Sequence, residues 1–186
     1  MSRIRLVLTM MLFIFFLAGF QEIKAQVKAG VRAGLNYPNI SVLNLEDNNG
    51  FHVGTYLKIS LAGIVALEPG IQYSHREFVS KAGSPSYKVD LNYLEMPLIF
   101  RLSIFPFVNI FGGPQPAVLV GKKVSGEGYF DSMGNLPHYE MGGVAGIGIK
   151  LPLGFNIQGS YDFGLSHLED QAIKNRIFKL SLGKDF

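Results

Sequence analysis

Apolar and non-apolar residues alternate with a period of two through most of this sequence. In the clearest stretch, 27–36, the odd-numbered positions hold Val, Ala, Val, Ala and Leu, and the even-numbered ones hold Lys, Gly, Arg, Gly and Asn. Successive residues of a β-strand point to opposite faces, whereas a helix would mix these two sets around its circumference. The chain is therefore predicted to form strands whose two faces differ in chemistry.

The alternation recurs often enough to predict eight strands. They cover residues 27–36, 51–60, 65–73, 94–102, 107–120, 139–151, 155–165 and 177–186. The connections are alternately long and short, with long polar ones at 38–49, 77–87, 121–137 and 166–174 and short ones at 61–63, 103–106 and 152–154. Connections of one parity share one end of a closed antiparallel barrel. The sequence thus predicts an all-β, eight-stranded antiparallel up-and-down transmembrane β-barrel with short periplasmic turns and longer extracellular loops.

Composition indicates which strand face contacts water. Only 17% of the residues are charged, whereas soluble domains average about a quarter. If the apolar faces met in a core, the opposite faces would be exposed and rich in charge, but they are largely glycine with isolated charges between. Small residues among a few large polar ones suit the inside of a narrow barrel. The polar face is therefore predicted to line the lumen and the apolar face to contact lipid.

The charged residues on the inward face are nearly balanced. The cations are Lys28, Arg32, Lys58, Arg101, Lys150 and Lys179, and the anions are Glu68, Glu95, Glu140, Asp162 and Asp185. An unpaired ion in a confined interior costs several kcal/mol, whereas a hydrogen-bonded network is tolerated. We expect a structural network of salt bridges that holds the barrel closed; the alternative, a narrow ion path, has little room in eight strands.

The N-terminal segment has the parts of a secretory signal peptide. Arg3 and Arg5 precede an apolar run over 6–20, and the segment ends on Ala25. A run of about 15 residues is shorter than the roughly 20 that span a bilayer as a helix, which argues against an uncleaved anchor. We predict a cleaved signal peptide over 1–25 and an outer-membrane barrel domain over 26–186. Cleavage removes three basic residues and one acidic one and lowers the formal charge from +3 to +1, so nucleic acid is not expected as a partner.

Four stretches carry a resemblance to a known family. They read VRAGLN at 31–36, LEPGIQYS at 67–74, LNYLEMPL at 91–98 and YDFGL at 161–165. With these motifs the chain resembles the PorT family of outer-membrane β-barrel proteins, over essentially all of 26–186. The resemblance implies an eight-stranded barrel in the cell outer membrane without enzyme activity. The terminal Phe186 is similar to the C-terminal signal that barrel-assembly machinery recognises in such proteins.

The predicted function is accordingly a structural or interaction role, without enzyme activity or cofactor. The expected partners are outer-membrane lipid, barrel-assembly machinery during biogenesis, and proteins of a secretion or envelope-assembly complex, with the barrel itself a monomer. Two alternatives stay open: an outer-membrane lipid-modifying hydrolase, and a soluble lipocalin-like barrel that binds an apolar ligand. Zero cysteine excludes disulfides and thiolate chemistry.

The four histidines are candidates for catalysis or metal binding. Ser74 and His75 are adjacent in a strand and so point to opposite faces, which prevents a nucleophile and base pair. His138 and Glu140 share a face and would need a serine from another strand for catalysis, or a third ligand for a metal. No metal site is predicted.

Aromatic girdles are expected from residues near strand ends, namely Tyr37, Phe51, Tyr73, Phe78, Tyr93, Phe107, Tyr139, Phe155, Phe163 and Phe186.

Overall fold

The computed structural model describes residues 26–38, 45–61, 63–80, 87–126, 138–164 and 176–186. The predicted signal peptide lies outside them. The strand segments are β1 (Gln26–Pro38), β2 (Leu45–Ser60), β3 (Val65–Ser80), β4 (Tyr87–Glu95), β5 (Leu98–Ser103), β6 (Val108–Gly126), β7 (Tyr139–Lys150), β8 (Phe155–Gly164) and β9 (Arg176–Asp185). A short 3-10 turn, Pro152–Gly154, joins β7 to β8. Within this part of the chain, no helix is long and apolar enough to cross a membrane.

The strands close into one antiparallel barrel. Each pairs with its neighbour along the chain, and β1 pairs with β9 to complete the ring. Segments β4 and β5 together occupy a single position, since both pair with β3 on one side and β6 on the other. The predicted eight-stranded up-and-down barrel is thereby confirmed, with the chain from Gln26 and the C-terminal Phe186 at the short-turn end.

The break between β4 and β5 falls at Met96 and Pro97. Proline has no backbone N–H, so it cannot donate to a neighbouring strand in the middle of a sheet. The carbonyl of Pro97 still accepts from the Gly70 N–H at 2.9 Å, and the Met96 N–H donates to the Pro116 carbonyl at 2.8 Å. The barrel wall therefore stays connected across the interruption.

The two strand faces separate as the alternation predicts. Large apolar side chains cover the outside and are exposed, as Val53, Leu57 and Leu182 show at 50%, 48% and 52% of their surface. The inward positions are mostly polar and buried, with buried apolar side chains such as Ile99, Phe111 and Val144 among them. In the part of the barrel that the structure describes, polar side chains occupy most of the positions that would form the apolar lining of a lipocalin-like ligand site.

The strands extend further toward the long-loop end than predicted. Residues 45–50 belong to β2, 74–80 to β3, 87–93 to β4 and 121–126 to β6. The predicted loops 38–49, 77–87 and 121–137 are therefore partly strand. Outward positions there are polar, such as His75 and Asp90, because a strand that continues past the apolar band no longer needs a lipid-facing side. Strand pairing thus extends beyond the alternation of apolar residues from which the strands are predicted.

Most of the predicted girdle residues lie on the outside. Phe107 and Tyr139 are among the most exposed apolar side chains, and Phe51 packs against Tyr73 with ring centroids 6.1 Å apart. The assignment of Tyr93 was wrong. It shares a strand face with Glu95 and points into the lumen, where 1% of its surface is exposed. The side chain of Phe78 lies outside the described part.

Candidate functional site

The lower cluster, Arg32, Glu68 and Arg101, fills the lumen toward the short-turn end. Arg32 Nη2 donates to Glu68 Oε1 at 2.8 Å, and Arg101 binds the same carboxylate with Nε to Oε2 at 3.1 Å and Nη2 to Oε1 at 3.0 Å. All three side chains are buried, Glu68 to 1% exposure. Forked guanidinium contacts of this kind are among the stronger hydrogen bonds in proteins. One carboxylate thus pairs with two buried cations, and the cluster keeps a net positive charge.

Amide side chains surround the second arginine of the lower cluster. Arg101 also donates to the amide oxygens of Asn109 and Gln158, the latter at 3.1 Å. Gly148 makes room for this layer, because a Cβ at that position would lie 2.7 Å from Asn109 Oδ1 and 3.0 Å from Arg101 Nη1. A larger residue at this inward position would therefore have to displace the ends of these two side chains.

The upper cluster, Arg76, Glu95, Asp162 and Lys179, lies closer to the long-loop end. Arg76 Nη2 contacts Glu95 Oε1 at 2.7 Å. Lys179 Nζ lies between two carboxylates, 2.5 Å from Glu95 Oε2 and 2.6 Å from Asp162 Oδ2. Gln72 donates to Glu95 and Gln115 to Asp162. Two cations and two anions therefore pair within one buried group.

Each lumen arginine also stacks on an aromatic ring. The guanidinium carbon of Arg32 lies 4.2 Å from the centroid of Tyr56, that of Arg76 4.2 Å from Tyr93, and that of Arg101 4.6 Å from Phe111. Rings in these positions combine cation–π attraction with bulk. They fill space that the charged groups leave open, so the lumen is packed across its section.

The other predicted lumen residues lie nearer the barrel ends. Lys58 Nζ pairs with Asp185 Oδ2 at 2.7 Å, and Lys150 Nζ donates to Ser103 Oγ at 2.9 Å. Glu140, which is half-buried, accepts from Tyr93 Oη at 2.8 Å. Lys28 is exposed at the short-turn end and stays outside both clusters.

Arg76 was missed by the sequence reasoning. The predicted third strand ended at Tyr73, so Arg76 fell between a strand and a loop. Continuing the inward parity from Gln72 through Ser74 would have placed Arg76 in the lumen. The missing information was that β3 continues beyond its apolar outward residues.

A serine, a histidine and an asparagine meet between the two clusters. His52 Nε2 lies 2.9 Å from Ser181 Oγ, and His52 Nδ1 lies 2.8 Å from Asn36 Oδ1. This is the connectivity of a nucleophile, base and orienting residue. All three are at most 4% exposed inside the barrel, so no surface is offered to a lipid substrate. The arrangement is a buried hydrogen-bond cluster.

The other described histidines, His75 and His138, do not lie in the lumen. Ser74 is fully buried in the lumen while His75 lies on the outside, as their adjacency predicts. His138 is exposed and Glu140 points inward to Tyr93. The predicted long loop 166–174, with His167, lies outside the described residues.

One group outside the barrel has the donors of a metal site. Within the described ranges, the ligand atoms of His75, Glu77 and Asp90 lie within 4.8 Å of one another. Lys88 Nζ contacts Glu77 Oε2 at 2.7 Å, and Asn92 Oδ1 lies 2.7 Å from His75 Nδ1. These five residues are the outer cluster. No sequence pattern marked it, because its members become neighbours only when β3 pairs with β4.

The sequence matches the family described as Outer membrane protein beta-barrel domain over residues 20–170. The chain belongs to this family. The match covers most of the strands and places the barrel in the outer membrane. No curated protein sequence matches the chain.

Solved structures of outer-membrane barrels share the fold. The attachment invasion locus protein Ail of Yersinia pestis, in complex with the heparin analogue sucrose octasulfate, is 14% identical with a TM-score of 0.52, over 87% of this chain and 99% of that one. Ail in a phospholipid bilayer nanodisc is 15% identical with a TM-score of 0.52, over 87% and 100%. Neisserial surface protein A is 13% identical with a TM-score of 0.49, over 87% and 97%. At these identities the likeness to Ail shows the fold alone.

Proposed function

We propose that this outer-membrane barrel neither conducts ions nor catalyses a reaction, and that it acts by contact with other envelope components. The observation that carries the proposal is the packed lumen, in which buried ion pairs and stacked rings occupy the section at two levels. Eight strands leave an interior just wide enough for side chains. The charged residues serve as a structural plug that holds the wall together.

The long-loop end is the proposed contact surface. There β2, β3, β4 and β6 continue as paired strands past the apolar band, and polar outward residues such as Lys123 replace the lipid-facing ones. Rigid paired strands present a surface to a partner at less ordering cost than a flexible loop. The partners proposed are proteins of a secretion or envelope-assembly complex.

Biogenesis is proposed to use both chain ends. A signal peptide over 1–25 would direct export, and Phe186 would be read by barrel-assembly machinery. Phe186 directly follows β9 and has an exposed ring, and its N–H donates to the Ala29 carbonyl at 2.8 Å. We expect Phe186→Ala to lower the amount of assembled barrel in cells while the purified chain still refolds. Equal assembly of variant and wild type would contradict this role.

Conductance in a planar lipid bilayer tests the plug. The wild-type barrel is expected to show no steady current. Serine in place of Arg32, Glu68 and Arg101 removes the lower cluster, and the upper cluster should still block the lumen. Steps are expected only when Arg76, Glu95, Asp162 and Lys179 are replaced as well. The matched control is Lys28→Ser, which removes a charge outside both clusters. Steady current through the wild type, or current opened by the control, would refute the plug.

Two further measurements test the remaining parts. Purified barrel incubated with phospholipid vesicles should release no fatty acid; release that Ser181→Ala abolishes would establish the hydrolase instead.

Chemical crosslinking in cells, followed by gel migration with and without boiling, should show a heat-modifiable monomer crosslinked to other envelope proteins. A self-crosslinked ladder without other partners would contradict both the monomer and the contact role.

A further inference from the structure

We propose that the outer cluster binds a divalent transition-metal ion of the zinc class through His75, Glu77 and Asp90. His75 and Glu77 are two residues apart on β3 and share its outer face. The register pairs Glu77 with Asp90 and His75 with Asn92 on β4. Strand pairing alone thus assembles one imidazole and two carboxylates on a rigid surface, beyond the apolar band and next to water.

The hydrogen bonding around His75 leaves the metal-binding nitrogen available. Asn92 Oδ1 accepts from Tyr73 Oη at 2.8 Å and lies 2.7 Å from His75 Nδ1. A carbonyl oxygen only accepts, so Nδ1 must carry the proton. In the neutral form of the imidazole, the lone pair is therefore on Nε2. Metal-ligating histidines commonly donate their other ring N–H to an acceptor in this way.

The nitrogen that carries this lone pair lies near a carboxylate oxygen that lacks a hydrogen bond. His75 Nε2 lies 4.0 Å from Asp90 Oδ1, and this oxygen is shielded from solvent without a hydrogen-bond partner. Zinc bonds of about 2.0–2.2 Å in tetrahedral geometry place ligand atoms about 3.4 Å apart. Small rotations of the side chains would bring the three donors to that spacing, and an ion there would satisfy the shielded oxygen.

The imidazole is held in place before any ion arrives. The ring of Phe51 lies 5.4 Å from that of His75 and the Asn92 amide holds its other edge. Gly121 leaves room for that amide, since a Cβ there would lie 3.0 Å from Asn92 Nδ2. Side chains fixed by packing and outer hydrogen bonds are what a metal site requires.

Lys88 supplies the positive charge between the carboxylates when no ion is bound. Its Nζ lies 2.7 Å from Glu77 Oε2 and 3.6 Å from Asp90 Oδ1. Like other lysine side chains, Lys88 carries an ammonium group at neutral pH. It is 43% exposed on a flexible stem and can swing into water. A dication would replace it, and Lys88 therefore lowers the affinity of the site.

Titration of the whole tag-free barrel, refolded in detergent, with ZnCl₂ in a calorimeter tests the proposal. One ion per chain is expected. Asp90→Asn and His75→Ala should each weaken binding about 10-fold or more, and Asn92→Ala, which removes the orienting acceptor and no metal ligand, about 10- to 100-fold. Lys88→Gln should tighten binding. His138→Ala is the matched control, since it removes an exposed histidine at the same end and should leave affinity unchanged.

A second probe separates a built site from scattered surface binding. Co²⁺ should give a visible absorption band with wild type and Lys88→Gln, and none with His75→Ala. Heat-modifiable gel migration shows that each variant is folded. Zinc binding that survives both His75→Ala and Asp90→Asn, or the absence of binding in Lys88→Gln, would overturn the proposal. So would CaCl₂ binding in preference to ZnCl₂, because calcium takes oxygen ligands and makes no use of an imidazole.

Discussion

The lower and upper clusters both pair buried charges inside the barrel, but they differ in the number of partners that each charge has. In the lower one a single carboxylate, Glu68, serves both Arg32 and Arg101. In the upper one Lys179 has both Glu95 and Asp162, and Arg76 has Glu95 with Glu140 at 3.8 Å. Removal of one partner therefore leaves unpaired charge in the lower cluster and a second partner in the upper. Stability should depend on the number of alternative partners rather than on the number of ion pairs.

The largest effect is expected for Glu68→Gln. The substitution keeps the side-chain shape but leaves two buried guanidinium groups without a carboxylate. Breaking a buried pair in this way costs about 3–5 kcal/mol of unfolding free energy. Urea titration of the lipid-refolded barrel, followed by far-UV circular dichroism, measures it; the chain has no tryptophan to report by fluorescence.

A double variant checks the reason for that loss. Arg32→Gln combined with Glu68→Gln removes one cation and the anion together, and Arg101 keeps Asn109 and Gln158. We expect the double variant to be more stable than Glu68→Gln alone. If it is less stable, lost packing against Tyr56 outweighs the unpaired charge, and the difference between the clusters needs another cause.

A smaller effect is expected for Glu95→Gln in the upper cluster. Lys179 keeps Asp162 at 2.6 Å and Arg76 keeps Glu140 nearby. The new amide oxygen can accept from the donors of only one of the two carboxylate oxygens, while its NH₂ replaces an acceptor that faces donors. The cost should be about 1.5–3 kcal/mol, that of hydrogen bonds to charged groups. The same titration measures it, and a loss equal to that of Glu68→Gln would contradict the redundancy.

The fold was accessible from sequence because period two and the two kinds of connection are local features. The alternation gave the inward direction of Arg32, Glu68 and Arg101 correctly, since parity alone decides it. It failed at Arg76, where the outward face turned polar. The girdle assignment is wrong at Tyr93 for another reason, since an aromatic residue near a strand end is typical of a girdle but this one has the inward parity of Glu95.

The pairings inside the barrel were not accessible, because they depend on register and tilt. Lys179 and Glu95 are 84 positions apart and meet across the lumen. Arg101 and Glu68 are 33 apart on neighbouring strands, and Glu68 finds Arg32 on another one. The alternation along a strand predicts which residues face inward, but it does not predict the position of each residue along the barrel axis. The outer cluster escaped prediction for the same reason, since Glu77 and Asp90 are brought together only by the register of β3 with β4.

The smallest effect is expected for Asp162→Asn. Asp162 Oδ2 accepts from Lys179 and Gln115, while Oδ1 has no hydrogen-bond partner. An asparagine can place its carbonyl oxygen where Oδ2 lies and keep both contacts, and its NH₂ then occupies the position of an atom that bonded nothing. Lys179 also keeps Glu95 at 2.5 Å. The loss of unfolding free energy should therefore be about 1 kcal/mol, the lower end of the cost of a buried polar group without a partner, measured by the same urea titration. Asp162→Leu is the matched variant, because it removes both contacts and should cost clearly more; equal losses in the two would show that Lys179 requires the charge of Asp162 and that the upper cluster has no spare partner.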